Sequence, residues 1–198
     1  NIGSDSWWGT IFYKVATASD VAATNFTFTG DSDADDMAGG ITAFSGVAVT
    51  GGVSSGPFDV TPGTINVVTS DDLSATGITT ATNGAALIMF GMVSDNRTTD
   101  AWVATSPSTL TELYDVPVNA GADYAVSAAW GLKTNAGATG NGSGELSANE
   151  NDANGAMFIA LRPCTTTPTL TTTGAVAAVC SIGSPQTTSM SYTAASGS

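Results

Sequence analysis

The chain contains no histidine. That absence excludes Ser-His-Asp and Cys-His nucleophile systems, His-containing zinc sites and a histidine pH switch together. Positive charge is almost as scarce. Lys14, Arg97, Lys133 and Arg162 stand against 17 acidic residues, for a formal net charge of -13. A surface this acidic repels nucleic acid and anionic headgroups, so no nucleic-acid partner is expected. Long apolar runs are missing too. The longest, Gly84–Val93 (GAALIMFGMV), has ten residues, about half of what a membrane-crossing helix needs, so no membrane insertion is expected. Cysteine occurs twice, at Cys164 and Cys180. Their closeness near the end of the sequence is that of one local disulfide in an oxidising compartment, with two free thiols as the alternative. The sequence opens directly on NIGSDSWW, with no start methionine or signal pattern, and reads as a trimmed piece of something longer.

What is present is Thr, Ser, Ala, Asn and Gly, with charged residues only 11% of the chain. That balance is typical of secreted β-proteins, since Thr and Val favour strands while Gly and Asn favour turns. With 198 residues, there is room for one substantial domain with a real core. Gly84–Val93 is the organising stretch. Glycines bracket it where a helix would be weakened, and it holds no charge, so it reads as a strand covered on both faces.

Around that run the pattern is one of short strands and frequent turns. Residues 7–17 predict a strand with one face buried from Ile11 to Val15, and TNFTFT at 24–29 predicts a half-buried strand with Phe26 and Phe28 on one face. Residues 40–49 read as a core strand with Gly46 at a bulge. Further strands are expected at 57–60, 65–68, 77–82, 110–116, 122–133, weakly at 145–148, and at 156–163, with a tight turn at Asn83-Gly84. In 110–116, Leu110, Glu112, Tyr114 and Val116 fall on one face by simple alternation. No segment sustains a helical period. The expected fold is therefore all-β, an antiparallel, jelly-roll-like β-sandwich over residues 1–163. From Cys164 the composition shifts to CTTTPTLTTTG, an extended linker leading into a unit, 164–198, too small to form its own core.

Few residues carry chemistry. Asp31, Asp33 and Asp35 place carboxylates at alternate positions, with Asp36 beside the last, a spacing that can wrap a hard oxygen-loving cation, but neither the glycine nor the bidentate glutamate of an EF-hand loop follows. The readings are a calcium site completed from distant loops or a solvated acidic turn. Trp7, Trp8 and Trp102 are candidate sugar-stacking faces, with packing as the competing role. With histidine absent, Asp and Glu are the remaining acid–base residues, yet nothing places Glu112, Glu145 or Glu150 at the separation glycoside hydrolysis needs. No catalytic residue is assigned and no cofactor is required.

Taken in order, IFYKVATASDVAATNFTFTG, GGITAFSGV, PFDV, ATNGAALIMFGMV, TELYDV and MFIALRP resemble a β-sandwich module of large secreted bacterial surface and adhesin-like proteins. The resemblance covers residues 8–163. The tail from Cys164, ending SPQTTSMSYTAASGS, resembles the start of an immunoglobulin-like repeat of the kind found along cell-surface proteins of the Bacteroidota. The resemblance implies a non-enzymatic structural or adhesive module, secreted to the cell surface or an extracellular fibre, whose partners are neighbouring copies or domains. Such modules carry several strands before the segment matching residues 11–17. Here only ten residues precede Ile11, so either the chain is a fragment of a longer polypeptide or a neighbouring subunit supplies the missing strands by strand addition, with 165–198 as candidate donor. The alternative is a calcium-assisted, glycan-binding module using Asp31–Asp36 and the three tryptophans.

Overall fold

The computed structural model describes residues 9–28, 36–119, 123–148, 151–164 and 186–193, with Asp36 and 186–193 described by backbone alone. The fold is all-β and antiparallel, a sandwich of a five-stranded and a three-stranded sheet. The larger sheet is built from β2 (Asn66–Ser70), β5 (Ala85–Val93), β7 (Thr111–Val118), β8 (Tyr124–Lys133) and β11 (Asp152–Leu161), in the order β2-β11-β5-β8-β7. The smaller runs β3-β10-β6, from β3 (Asp72–Ala75), β10 (Gly142–Leu146) and β6 (Thr99–Ala104). Two further pairs join β1 (Asp36–Ala43) to β12 (Gln186–Thr193) and β4 (Thr79–Thr80) to β9 (Gly137–Ala138).

The expected central strand is β5, and both of its faces are covered. Its inward side chains Leu87, Met89 and Val93 enter one core with Leu73, Trp102, Leu110, Leu146 and Phe158, contributed by both sheets. Phe158 pairs with Met89 across β11 and β5 and is fully buried. Glycines let the layers close: a Cβ on Gly91 would sit 2.3 Å from Leu73 Cδ1, and one on Gly142 the same distance from Phe158 Cζ. On the outward face, Ala86, Ile88 and Met92 are buried as well. Their cover is supplied by the chain itself, not by a neighbour. Gly9 lies against the Met92 thioether, the Phe44 ring meets Trp130 edge-on at 5.8 Å, and Gly40 of β1 lies on the Tyr114 ring.

Buried polar groups tie the connections to this frame. The Asp59 carboxylate accepts from the backbone N–H of Ala81 at 2.6 Å and of Thr82 at 3.2 Å, fixing the lead into β5. Asn154 Nδ2 donates to Ser70 O and Asp152 O at 3.0 and 3.1 Å, locking β11 to the end of β2. The loop after β5 is clamped by Arg97, which pairs with Asp95 at 2.7 Å and with Asp152 at 2.8 Å. Gly84, at φ +78°, makes the expected turn, a conformation that costs a side-chain-bearing residue most.

Besides 57–60, which forms no strand and makes only the isolated bridge Phe58↔Leu161, three expected strands differ. Residues 11–15 and 24–28 belong to no strand or bridge, and Phe12, Tyr13, Phe26 and Phe28 are exposed. A strand needs a partner ladder as well as a favourable pattern, and these stretches have none among the described residues. The third, 40–49, ends as β1 at Ala43 and pairs with β12 rather than entering the main sheet. Between the two unpaired stretches sits one short helical turn, α1 (Ala18–Ala22), opened by a capping box between Thr17 and Asp20. Lys14, with the Thr17 hydroxyl and N–H, holds the Asp20 carboxyl well below its usual range.

Candidate functional site

Two β-bulges, one in β6 of the smaller sheet and one in β7 of the larger, frame a polar cluster inside the sandwich. In β6 the register against β10 slips between Ser143 and Glu145, and Ala101 adopts φ +48°. The extra residue turns Thr99, Trp102 and Ala104 all inward, where strict alternation would oppose Thr99 to Trp102. In β7 the register slips between Glu112 and Tyr114. Leu113 is the extra residue, so Glu112 and Asp115 point to the inner side while Tyr114 and Val116 point outward. The shared face expected for Glu112, Tyr114 and Val116 is thereby split.

Asp115 stands where the bulges meet. Its Oδ2 accepts from Thr99 N–H at 2.6 Å, the Thr99 and Ser127 hydroxyls are 3.1 Å apart, and Trp102 Nε1 donates to Thr99 O at 3.1 Å. Burial pushes the Asp115 carboxyl up to about 6, opposed by the Thr99 hydrogen bond and reinforced by the negative charges of Glu112 and Asp100. Burial likewise raises Tyr114 to about 12. The Asp115 arrangement is that of a fastener between the two sheets, from Asp115 on β7 to Thr99 on β6.

Trp102 is therefore corrected as a ligand contact. It is 4% exposed, and Gly144 makes room for its ring, since a Cβ there would lie 3.1 Å from Trp102 Cε3. No ring face is left for a sugar. Trp7 and Trp8 lie outside the described residues, as do Asp31, Asp33 and Asp35. Asp36 is the first residue of β1. Among the described residues no three Asp, Glu, Cys or His side chains gather as a metal would require. Cys164 anchors the end of the sandwich through its N–H to Gly46 O at 2.9 Å. Its expected partner, Cys180, lies outside the described residues. Lys133 is buried, and its ammonium donates to Ser106 Oγ at 3.0 Å.

The surface shows two features that alternation alone did not assign. Phe12, Tyr13, Val15, Val21, Phe26 and Phe28 place exposed large apolar side chains along one segment, held down at Tyr13 by an edge-on contact with Phe58 at 4.9 Å. The second is the end of the large sheet at β2. Its neighbour on one side is β11, and no strand pairs with its other side among the described residues. Ile65 and Val67 are exposed there. Beside them an open cleft of about 580 Å³ runs between residues 60–66 and 76–79, bordered by Val60, Pro62, Ile65 and Ile78.

Compared with protein families, curated proteins and solved structures, the chain matches none of them.

Proposed function

We propose that this chain is a non-enzymatic structural and adhesive module of a bacterial extracellular surface protein or fibre, working by contact between folded units and assembling by β-strand addition. One observation carries the reading: the sandwich closes its own core, while exposed large apolar side chains line residues 12–28, whose strand-patterned stretches, 12–15 and 24–28, have no partner strand among the described residues. Monomeric proteins seldom leave such a segment uncovered, and exposed apolar surface marks contact sites. The resemblance to secreted β-sandwich surface modules points the same way. So does the low charge density, which leaves neutral surfaces free to meet. A Cys164–Cys180 disulfide belongs to this reading, and reactive thiols in the unfolded, unreduced protein would count against it.

The test is a turnover panel of polysaccharides and esters on the intact chain. No turnover is expected. Robust activity abolished by Glu112→Gln would overturn the reading in favour of an enzyme. Glycan-array binding that needs calcium would favour the carbohydrate-binding alternative instead, with Trp7, Trp8 and Asp31, Asp33, Asp35 and Asp36 as its remaining candidates.

A further inference from the structure

Resting on the assembly reading above, we propose that residues 24–28 of one copy add as a strand to the free edge of β2 in a second copy, setting Phe26 and Phe28 against Ile65 and Val67. The 186–193 segment, within the stretch expected to be the donor, is already paired with β1 of its own chain over eight residues, from Asp36↔Thr193 to Ala43↔Gln186. A strand engaged along that length is not a free donor. Residues 24–28 enter no ladder, so their backbone groups are open to pairing.

Donor and acceptor match in length, spacing and charge. TNFTF has five residues, and an antiparallel register against 65–69, which reaches one residue before β2, sets Phe26 opposite Val67 and Phe28 opposite Ile65. Phe26 and Phe28 sit two apart and share one face of an extended chain, and exposed Ile65 and Val67 have the same spacing. Aromatic rings opposite β-branched side chains are favourable cross-strand pairs. The β2 edge also lacks the features that keep edges apart: residues 60–70 contain no charged residue, and the strand itself contains no proline. Charge selects the occupant. In a chain of net charge -13, copies repel wherever their acidic surfaces meet, yet residues 24–28 and 60–70 carry no charge at all. The nearest acidic residues in sequence, Asp59, Asp71 and Asp72 on one side and Asp20 and Asp31 on the other, flank these stretches without interrupting them, so the contact itself buries no charge. Because donor and acceptor are different surfaces, the contact is head-to-tail, and where successive copies close neither a ring nor a reciprocal pair it propagates into open filaments.

The experiment is sedimentation velocity and negative-stain imaging of the full chain over a concentration series. It uses the wild type, Phe26→Asp/Phe28→Asp, Val67→Asp, and Val49→Asp as a control, with folding of each checked by thermal unfolding. Val49 is an exposed residue outside any strand. The wild type and Val49→Asp are expected to form concentration-dependent linear oligomers, and the donor and edge variants to stay monomeric. Mixed one to one, those two variants have one working surface each, so they should give heterodimers and nothing longer. Assembly that persists in both variants overturns the strand assignment and leaves the module reading standing. A wild type that stays monomeric at every concentration overturns the assignment and the assembly reading together. Blocked variants that fail to form heterodimers on mixing also overturn the assignment.

Discussion

β5 and the segment 11–28 look alike on paper and behave as opposites in the fold. Both are rich in apolar and β-branched or aromatic residues, and β5 and the two ends of the segment, 11–15 and 24–28, read as strands. β5 is hydrogen-bonded on both sides, by β11 and β8, and most of its side chains are buried. Residues 11–15 and 24–28 have no ladder and hold Phe12 at 80% exposure and Phe28 at 53%. The difference lies in neighbours, not in composition. A strand is stabilised by what lies beside and above it, so the same pattern gives core in one place and a waiting surface in another.

Mutations of matched chemistry separate the two regions. Phe158→Ala, in the core beside Met89, is expected to lower stability by about 3–5 kcal/mol in urea unfolding, whereas Phe12→Ala should change it by less than about 0.5 kcal/mol. Equal costs would erase the contrast. Filling the close approach between sheets comes next. Gly91→Ala, whose new methyl meets Leu73, should cost about 1–3 kcal/mol by overpacking, and a silent substitution would mean that the layers are loosely packed. Asn154→Ala, which removes the bonds to Ser70 O and Asp152 O, should cost about 1–3 kcal/mol through unsatisfied buried groups.

The smallest effect concerns pH. Below about pH 4 the Asp115 carboxyl is protonated in folded and unfolded chains alike. Its folded value is raised to about 6, so between these limits the folded state holds the proton more tightly. The contribution from Asp115 is then fully present at the acid end and is lost as pH rises through the folded value. Asp115→Asn keeps an acceptor for the Thr99 N–H and removes the titration. Its stability relative to wild type should therefore increase from pH 4 to 7 in parallel unfolding curves, and a flat difference would remove the assigned role.

Much of the architecture was legible. Gly84–Val93, the alternation in 157–161 around Phe158 and the turn at Asn83-Gly84 each state their role through residue type and period. The bulges were not. Nothing in TDAWVA or TELYDV announces an inserted residue, and one extra residue moves every side chain beyond it to the other face. Residues 99–104 read as part of a polar loop running into Trp102 and not as a strand, so Trp102 stood as a candidate ligand contact beside a packing role, and Asp115 gave no sign that it would meet Thr99 and Ser127 from another strand. The acidic loop and the tryptophan pair were conspicuous in the sequence because their types are distinctive. The exposed β2 edge was not, because an edge is defined only by the absence of a neighbour.

By itself, the sequence determined the all-β class, the central strand, the absence of histidine chemistry and the negative charge. These follow from composition and short-range periodicity, which the chain carries wherever it folds. Only the tertiary structure decided which strand-patterned segments found partners, which face each bulge turned inward, and that β5 is covered by its own chain. Those outcomes depend on contacts between residues far apart in sequence, and no local pattern encodes which neighbour will arrive.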